Sequence, residues 1–492
     1  MRIVVIGHGM VGSRVAADLA AADPQARLTV LGQEDHDPYN RVQLSSVVAG
    51  KADPAALALE QVGPEQARVL RGVRAVRIDR ASHLVHDELG EAHPYDRLVL
   101  ATGSAARIPD VPGLHAPGGV AEESTLVDGV SPLKDLDDAE RILRRCEGGA
   151  EVVVLGAGVL GIEVATGLAG RGARVTLVHH RERLMERQLD RDASEIVHGA
   201  LETLGITVVT SASATRVDAP EGRLETVHLS DRSARPADLL VLCTGTVPQT
   251  ALAAAAGLEC GAGILVGEDL SCPGDPDVFA IGDCAQPPEG ASGLVAQGWE
   301  QARRLVESWR PRAQEASVPV PARGTGGDLV RVKAVGLALV TMGRIERPGP
   351  GLHAPRSVRL ADPSGGRFTE VVVHEGRLVA ATIVGDEDAA AELSAAFTLR
   401  TPVPRDPVHL LARPLAARAV APADSVADMA EEDVLCQCNG VTKGSVCAAV
   451  AGGCGSTAEV SRATRAGTGC GTCRSRIQEL LDASRDREPA PV

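Results

Sequence analysis

Residues 2–34 read RIVVIGHGMVGSRVAADLAAADPQARLTVLGQE and decide the fold of the N-terminal part of the chain. A β-branched run at 3–6 is typical of a buried parallel strand, and an Ala- and Leu-rich helical pattern follows to about residue 22. Between them stand three glycines with GxGxxG spacing: Gly7, Gly9 and Gly12. In a strand–turn–helix unit such glycines make the tight turn, admit a pyrophosphate and let helix and strand pack closely. The stretch predicts a dinucleotide site, although a single motif also fits a simple tight turn.

The segment after this unit contains further candidate ligands. Glu34 follows the second apolar run, at the position where a carboxylate would accept hydrogen bonds from ribose hydroxyls. The loop at 38–45, PYNRVQLS, adds the basic residue Arg41 and contains no cysteine. A flavin–disulphide reductase needs a dithiol against the flavin, and a flavin-dependent peroxidase needs a single thiolate there. The loop therefore disfavours both classes at this location.

Residues 151–180, EVVVLGAGVLGIEVATGLAGRGARVTLVHH, repeat the pattern with Gly156, Gly158 and Gly161. Two strand–GxGxxG–helix units make coincidence a poor explanation, so we expect two dinucleotides in two Rossmann-like domains. Basic residues follow the last strand of this unit, where an NAD site places an acid: His179, His180, Arg181 and Arg183. They would accommodate the 2′-phosphate of NADPH, or form a solvated loop that is indifferent to it. The pattern leaves the choice between NADH and NADPH open.

Two other predicted strands end in short polar motifs. The run DRLVLATGS at 96–104 brings Thr102 and Gly103 to a strand end, close to a cofactor that lies between domains. The run DVFAIGDCA at 277–285 does the same for Asp283. We expect Asp283 to hydrogen-bond a ribityl hydroxyl, or to serve as an ordinary helix N-cap.

The C-terminal part of the chain contains two closely spaced cysteine pairs, in CQC and CGTC, which supply Cys436, Cys438, Cys470 and Cys473. Four thiolates suit an iron–sulfur cluster, with a structural zinc site or free thiols as the alternatives. Backbone N–H groups would be able to turn toward cluster sulfurs at Gly467, Gly469 and Gly471.

Length and charge limit the possible classes of protein. A chain of 492 residues exceeds what one hydrophobic core supports, and about three domains are expected. The formal net charge of −15 argues against nucleic acid as a general partner. Since the apolar runs all fall short of the roughly 18 residues of a membrane span and no secretory leader is recognisable, we expect no membrane partner and a cytoplasmic location. The 11 cysteines are then expected as thiols or metal ligands.

Residues 1–310 resemble the flavoprotein oxidoreductases that bind two dinucleotides. The motifs PYNRVQLSS at 38–46 and LMERQLD at 184–190 look like the FAD-containing part of assimilatory nitrite reductase large subunits and nitrate reductase electron-transfer subunits. In those proteins a domain similar to bacterioferritin-associated ferredoxin (BFD) follows. The two cysteine pairs, with NGVTKG at 439–444 between them, match its CxC…CxxC ligand pattern. The resemblance thus implies a 2Fe–2S cluster at the four cysteines.

These observations and the resemblance together divide the chain and imply roles for its site residues. The fold class is α/β, with two Rossmann-like (glutathione-reductase-like) domains, a small α+β domain and a small four-cysteine domain. The predicted bounds are 1–112 and 246–310 for FAD, 113–245 for NAD(P)H, 328–400 for the α+β domain, 401–432 for a linker, 433–484 for the BFD-like domain and 485–492 for a disordered tail. FAD would be held by Gly7, Gly9, Gly12, Glu34, Arg41, Thr102, Gly103 and Asp283. The nicotinamide nucleotide would lie at Gly156, Gly158, Gly161 and Glu163. Within the first domain, alternation at 65–95 predicts an antiparallel meander.

The resemblance implies an FAD-dependent NAD(P)H oxidoreductase in which hydride transfer to FAD needs no side-chain base. Its cluster would pass electrons to a separate catalytic nitrate or nitrite reductase subunit. Nitrite reductase large subunits continue into sirohaem and 4Fe–4S domains, and this sequence stops at Val492 without a further cysteine cluster, so we expect a detached electron-transfer subunit.

Three alternatives stay open at this point. The first is a ferredoxin- or rubredoxin-type NAD(P)H reductase with another redox protein as its acceptor. The second makes the four-cysteine domain a zinc-stapled docking module. The third is a flavin oxidase that acts on an amino acid or an opine.

Overall fold

The first Rossmann unit forms where the glycine motif predicts it, with the helix starting directly after the turn. The computed structural model describes residues 1–116, 125–146, 148–309, 329–343, 354–411, 426, 429–436, 439–469, 471 and 473–485. The elements of the first part are β1 Arg2–Ile6, α1 Met10–Ala22, β2 Arg27–Gly32, α2 Leu44–Val48, β3 Ala67–Arg71, β4 Ala75–Asp79, β5 Leu84–Asp87, β6 Ala92–Pro94, β7 Arg97–Leu100 and β8 Ser104–Ala106.

The second Rossmann unit repeats this architecture. Its elements are β9 Val130–Pro132, α3 Leu136–Arg145, β10 Glu151–Leu155, α4 Val159–Gly170, β11 Arg174–Val178, α5 Arg191–Thr203, β12 Thr207–Val209, β13 Ala214–Asp218, β14 Thr226–Leu229, β15 Ala234–Pro236 and β16 Leu239–Leu242. A five-stranded parallel sheet has the order β12-β11-β10-β16-β9, and β13–β15 form an antiparallel sheet of their own. The all-parallel strands are nearly continuous apolar runs because both of their faces are covered.

The chain then returns to the first unit. The returning elements are β17 Thr246–Pro248, α6 Ala251–Ala255, β18 Ile264–Leu265, β19 Ser271–Cys272, β20 Asp275–Ala280, β21 Ala285–Gln286 and α7 Val295–Trp309. They complete a six-stranded sheet with the order β19-β20-β7-β1-β2-β3. The crossing strands β8 and β17 pair antiparallel, so the two passages between the Rossmann units run side by side.

The antiparallel meander predicted for 65–95 is wrong in its first strand. β3 pairs in parallel with β2, with Leu31 opposite Leu70, and only β4–β6 form an antiparallel sheet. β3 is the edge strand of this sheet: Arg68 and Arg71 are exposed, whereas Ala67 is buried and Val69 and Leu70 are partly buried against the core. Exposed arginines between apolar residues give the same mixed pattern as a strand in a meander, which is why the sequence misled.

The last two units are smaller. An antiparallel sheet with the order β22-β23-β26-β25-β24 carries two helices, its elements being β22 Leu329–Val332, β23 Leu339–Met342, β24 Arg356–Asp362, β25 Arg367–His374, β26 Arg377–Val384, α8 Glu387–Leu399 and α9 Val408–Leu411. The C-terminal unit comprises β27 Val434–Cys436, β28 Val441–Thr442, α10 Lys443–Ala451, α11 Thr457–Thr464 and α12 Arg474–Arg485. The stretch predicted as a linker includes α9, whereas 412–425 and the tail at 486–492 lie outside the described residues.

The hydrophobic core does not stop at the borders of these units. Leu44 and Val48 of α2, in the first unit, share one buried cluster with α4 of the second unit and with Leu339 of the third. The α2–α4 contact is close because Gly167 lacks a side chain, and a Cβ there would lie 2.9 Å from the Cβ of Ala49. Continuous apolar packing therefore sets how the first three units sit against one another.

We expect Gly161→Ala to destabilise the second Rossmann unit by about 1–3 kcal/mol or more, because the added Cβ would lie 1.7 Å from the carbonyl oxygen of Gly156. The matched control is Gly199→Ala on the exposed side of α5, where a Cβ meets nothing within 4 Å and stability should stay equal or rise slightly. Calorimetric melting of the purified apoproteins measures both. Equal midpoints for the two variants would contradict the packing described for Gly161.

Candidate functional site

The first GxGxxG turn separates packing glycines from a glycine that faces open space. Gly7 has φ +113°, and a Cβ there would lie 2.1 Å from the Ala101 carbonyl oxygen. A Cβ at Gly12 would lie 1.9 Å from the Gly7 carbonyl oxygen, whereas at Gly9 the nearest atom is Nε of Arg41 at 3.8 Å. Only the middle glycine therefore leaves room beside the N-terminus of α1, where backbone N–H groups and the helix dipole favour a pyrophosphate.

The second turn has the same geometry. Gly156 has φ +105° and a Cβ there would lie 2.3 Å from the Cys243 carbonyl oxygen, whereas a Cβ at Gly158 would meet nothing within 4 Å. In both turns the first and third glycines pack against backbone carbonyls and the middle glycine faces open space. This arrangement satisfies the steric requirement for two bound dinucleotides.

Glu34 and Arg41 meet at the end of β2, beside the first turn. The Arg41 guanidinium forms an ion pair with one Glu34 oxygen and donates to the Lys134 carbonyl at 3.2 Å. The Tyr39 hydroxyl donates to the other Glu34 oxygen at 2.7 Å, and the guanidinium lies over the Tyr39 ring at 4.8 Å. Both predicted ligands are thus held in place, with the carboxylate suited to ribose hydroxyls and the guanidinium to phosphate.

Asp283 lies on the carboxyl side of the same sheet, in a 3-10 turn at Gly282–Cys284. It accepts a hydrogen bond from the Ser104 hydroxyl at 2.8 Å, and Lys134 Nζ lies 4.0 Å away. The N-cap alternative is therefore wrong for Asp283, because this turn has no side-chain cap and the next helix begins at Val295.

Thr102 and Gly103 mark the point where the chain leaves β7. The Thr102 hydroxyl donates to the Gln249 carbonyl at 2.9 Å, and Gly103 has φ +70°. These contacts join the two crossing segments beside Asp283. Sequence reasoning missed Lys134 and Ser104; Lys134 is distant in sequence and belongs to no motif, so its position was accessible only from the fold.

A cavity of about 460 Å³ opens at the second glycine turn, large enough for much of a dinucleotide. Its walls include Gly156, Gly158 and residues 178–180 at the end of β11, together with 185–188 from the motif LMERQLD. Arg181 and Arg183, offered above for a 2′-phosphate, are not among the described residues that line it. Their role in choosing the donor loses its geometric support.

Glu186 supplies an acid to this cavity. His179 is 5% exposed, its Nδ1 accepts from the Ala157 N–H at 3.2 Å, and its Nε2 lies 3.0 Å from a Glu186 oxygen. Burial lowers the pKa of His179, so the neutral ring donates from Nε2 to the carboxylate. Although burial opposes it, hydrogen bonds from the Glu186 backbone and from His179 lower the pKa of Glu186. The missing acid at the end of β11 is thus replaced by an ionised carboxylate from the next loop, a residue that the quoted motif contained.

Glu163 projects away from this cavity, toward the other units. It is 2% exposed, accepts from the Ser45 hydroxyl of α2 at 2.5 Å, and forms an ion pair with Lys333 Nζ at 2.8 Å. The Lys333 backbone N–H donates to the same carboxylate at 2.9 Å. The direct role of Glu163 at the nicotinamide nucleotide stays a prediction, and neither Ser45 nor Lys333 was anticipated.

Two of the four predicted cluster ligands are described, and the fold brings them together. Cys436 at the end of β27 and Cys473 before α12 are both buried. The Cys473 thiol, the Gly467 backbone N–H and the Asn439 amide hydrogen-bond the Cys436 sulfur and lower its pKa to about 6. This donor set fits a thiolate ligand and places the Gly467 N–H toward a sulfur, as predicted. Cys438 and Cys470 lie outside the described residues.

With this geometry established, comparison with known proteins defines the class: an FAD-dependent oxidoreductase that uses NAD(P)H and carries a 2Fe–2S cluster. Residues 1–306 match the pyridine nucleotide-disulphide oxidoreductase family, and residues 434–483 match the BFD-like [2Fe-2S] binding domain. The chain belongs to the pyridine nucleotide-disulphide oxidoreductase family. This confirms the predicted family, fold class and cofactors, and it disfavours the zinc alternative.

Individual relatives cover most of the chain. It is 31% identical to the nitrite reductase [NAD(P)H] large subunit of Klebsiella oxytoca over 98% of its own length and 48% of that protein. It is 26% identical to the assimilatory nitrate reductase electron transfer subunit of Bacillus subtilis (strain 168), over 98% of its length and 59% of that protein. The chain thus spans about half of these relatives.

A solved structure supports the fold. The covalent putidaredoxin reductase–putidaredoxin complex matches with a TM-score of 0.69 and 26% identity, over 83% of this chain and 95% of that chain. Among the helices in the described ranges, none has the length and apolar character needed to cross a membrane.

We expect Lys333→Met to lower stability by about 3–5 kcal/mol, because it leaves Glu163 as an uncompensated buried charge at the junction of three units. Lys51→Met, at an exposed position, is the matched control and should shift the midpoint little. Thermal melting of the holoprotein compares them. If both variants melt like the wild type, the Glu163–Lys333 pair does not hold the units together.

Proposed function

We propose that this chain transfers electrons from NAD(P)H to a separate terminal reductase, with a nitrate reductase as the first choice and a nitrite reductase as the second. When bound, FAD supplies the conversion of a hydride from nicotinamide into single electrons, and the 2Fe–2S cluster carries those electrons onward. A cytoplasmic location fits this role, since a reducing compartment keeps the cysteines available as cluster ligands.

The extent of similarity supports this acceptor class. The relatives named for nitrite and nitrate reduction match 98% of the chain, and this span includes the cysteine domain. The putidaredoxin reductase complex matches 83% of the chain. A reductase with a small redox protein as acceptor is the second candidate, favoured by that structural match.

The chain's own residues bind and orient the reactants. Gly9 and Gly158 leave space for two pyrophosphates, and Glu34 and Asp283 offer carboxylates on the same sheet edge. Because the Glu163 contacts fix α4 against α2, the two cofactor sites are held in one relative position. Rigid positioning of this kind is the protein's main contribution when the cofactors carry the chemistry.

We propose NADH as the preferred donor, with Glu186 as the acceptor for a ribose hydroxyl. An ionised carboxylate that lines the cavity would accept from a 2′-hydroxyl and repel a 2′-phosphate. His180 and Arg187 also line this end of the cavity, and the positive charge of Arg187 is the argument for NADPH.

Glu186→Gln should weaken NAD⁺ binding about 10- to 100-fold, since a hydrogen bond to a charged group contributes about 1.5–3 kcal/mol. NADP⁺ binding should improve or stay equal, because the repulsion is removed. Titration calorimetry of the holoprotein measures both nucleotides, with Glu182→Gln at a 70% exposed side chain as the control. Tighter NADP⁺ than NAD⁺ binding in the wild type would overturn the assignment.

Cys473→Ser should lose cluster iron and sulfide while NADH still bleaches the flavin bands at the wild-type rate. Electron delivery from this variant to a purified catalytic nitrate reductase subunit should then fall to background. The control is Cys447→Ser on α10, a half-buried thiol that is not a predicted ligand. The assay is nitrate-dependent NADH oxidation, repeated with nitrite reductase and with a small ferredoxin as acceptors. If the wild type turns over with ferredoxin but with neither nitrate reductase nor nitrite reductase, the second candidate replaces the proposal.

A further inference from the structure

The cysteine domain contacts the FAD-binding unit through several polar side chains, and one of them, Asn40, also organises the loop at 38–45. Asn40 is 1% exposed, and its Oδ1 accepts from the Val42 N–H at 3.1 Å, which caps the 3-10 turn that begins at Arg41. Its Nδ2 donates to the Thr468 carbonyl at 2.7 Å and also to the Gly469 carbonyl. A single amide therefore joins the turn that carries Arg41 to the loop that leads into Cys470.

A second set of contacts lies along α1, the helix that starts at the first glycine turn. Arg465 donates to Asp18 at 2.7 Å and to Glu60 at 2.8 Å. Arg14 donates to the Asn439 amide oxygen at 3.0 Å, and the Asn439 Nδ2 lies 3.8 Å from the Cys436 sulfur. Polar contacts thus run from the FAD-binding helix to a cluster ligand.

Charge and position agree on this face. The FAD-binding unit contributes the carboxylates Asp18 and Glu60, and the cysteine domain contributes the guanidinium of Arg465. The segment around Cys470, here called the cysteine loop, also approaches the FAD-binding unit closely. A Cβ at Gly471 in this loop would lie 2.7 Å from the Gln43 amide nitrogen. Gln43 belongs to the same 3-10 turn as Arg41, so the loop is pressed against the segment of the FAD site that precedes α2.

We propose that the contact surface between the cysteine domain and the FAD-binding unit, here called the dock, is where the cluster receives electrons. The contacts of Arg465 with Asp18 and Glu60 hold the cysteine domain in the dock. The proposal rests on the proposed function, in which each electron lost by reduced FAD reduces the oxidised cluster. Asn40 is a positioning residue in this scheme, as it aligns the cysteine loop with the turn at Arg41. Since the ion pairs are partly exposed, salt should loosen the dock.

The test compares Arg465→Glu with Arg462→Glu, an exposed arginine on α11 of the same domain. The holoproteins are mixed with NADH without oxygen; flavin bleaching is followed by absorbance and cluster reduction by freeze-quenched paramagnetic resonance. Hydrogen exchange of 465–469 and 58–60 reports docking independently of electron flow.

For Arg465→Glu we expect unchanged flavin bleaching, cluster reduction slower on the order of tenfold, and faster exchange in both segments. Arg462→Glu should match the wild type in all three. Asn40→Asp keeps the oxygen that caps Val42 but turns a donor into an acceptor facing two carbonyls, so it should also slow cluster reduction.

Wild-type rates and exchange in Arg465→Glu would overturn the dock while leaving the proposed function intact. If the wild-type cluster instead stays oxidised after the flavin is bleached, the proposed function fails and the dock fails with it. If raising the salt concentration slows cluster reduction in the wild type but not in Arg465→Glu, this result supports the ionic contact as the cause.

Discussion

Glu163 is the carboxylate on which the relative placement of three units depends. It belongs to α4 of the second unit, accepts from Ser45 of the first unit and pairs with Lys333 of the third unit. A charge buried to this degree is tolerated only when its oxygens are satisfied, and here both are. Apolar packing across α2 and α4 is strong but has no preferred direction, whereas these hydrogen bonds do. Together they convert a shared hydrophobic cluster into one defined arrangement of two dinucleotide sites.

The cysteine domain is attached by a different kind of contact. Its own hydrophobic cluster is separate from those of the other units, and its contacts with the first unit include ion pairs and amide hydrogen bonds. Partly exposed ion pairs are individually weak and are screened by salt, as at transient domain interfaces. The first three units thus share apolar packing, whereas the cysteine domain meets the first unit through polar contacts that include salt-sensitive ion pairs. In the proposed function, this difference would suit a domain that exchanges electrons with an internal donor and an external acceptor.

The sequence predicted the two glycine turns correctly, because the contacts that require glycine there lie within each turn and its own strands. Gly7, Gly12, Gly156 and Gly161 indicated two Rossmann turns because each of these positions excludes a Cβ by contact with a nearby carbonyl. The edge strand β3 was misread because exposed Arg68 and Arg71 between apolar residues look the same in a parallel edge strand and in a meander. Lys134 and Lys333 were missed because their partners, Asp283 and Glu163, lie more than a hundred residues away in the chain. Glu186 was not singled out for a similar reason, since this cavity-lining acid comes from a loop and not from the strand end.

The thiols show how electrons are able to leave this chain. Burial raises the pKa of Cys243, beside the nicotinamide cavity, to about 12, and burial also raises the pKa of Cys284, next to Asp283. Since the thiolate is the reactive form, neither residue is suited to dithiol chemistry with a flavin, and the loop at 38–45 contains no cysteine. Cys436 differs, because donors from Cys473 and the backbone favour its thiolate. Among these three thiols, the thiolate is thus favoured only at Cys436 in the C-terminal domain, a predicted metal ligand. In the proposed function, a pair of electrons from the nicotinamide would leave one at a time, through the cluster.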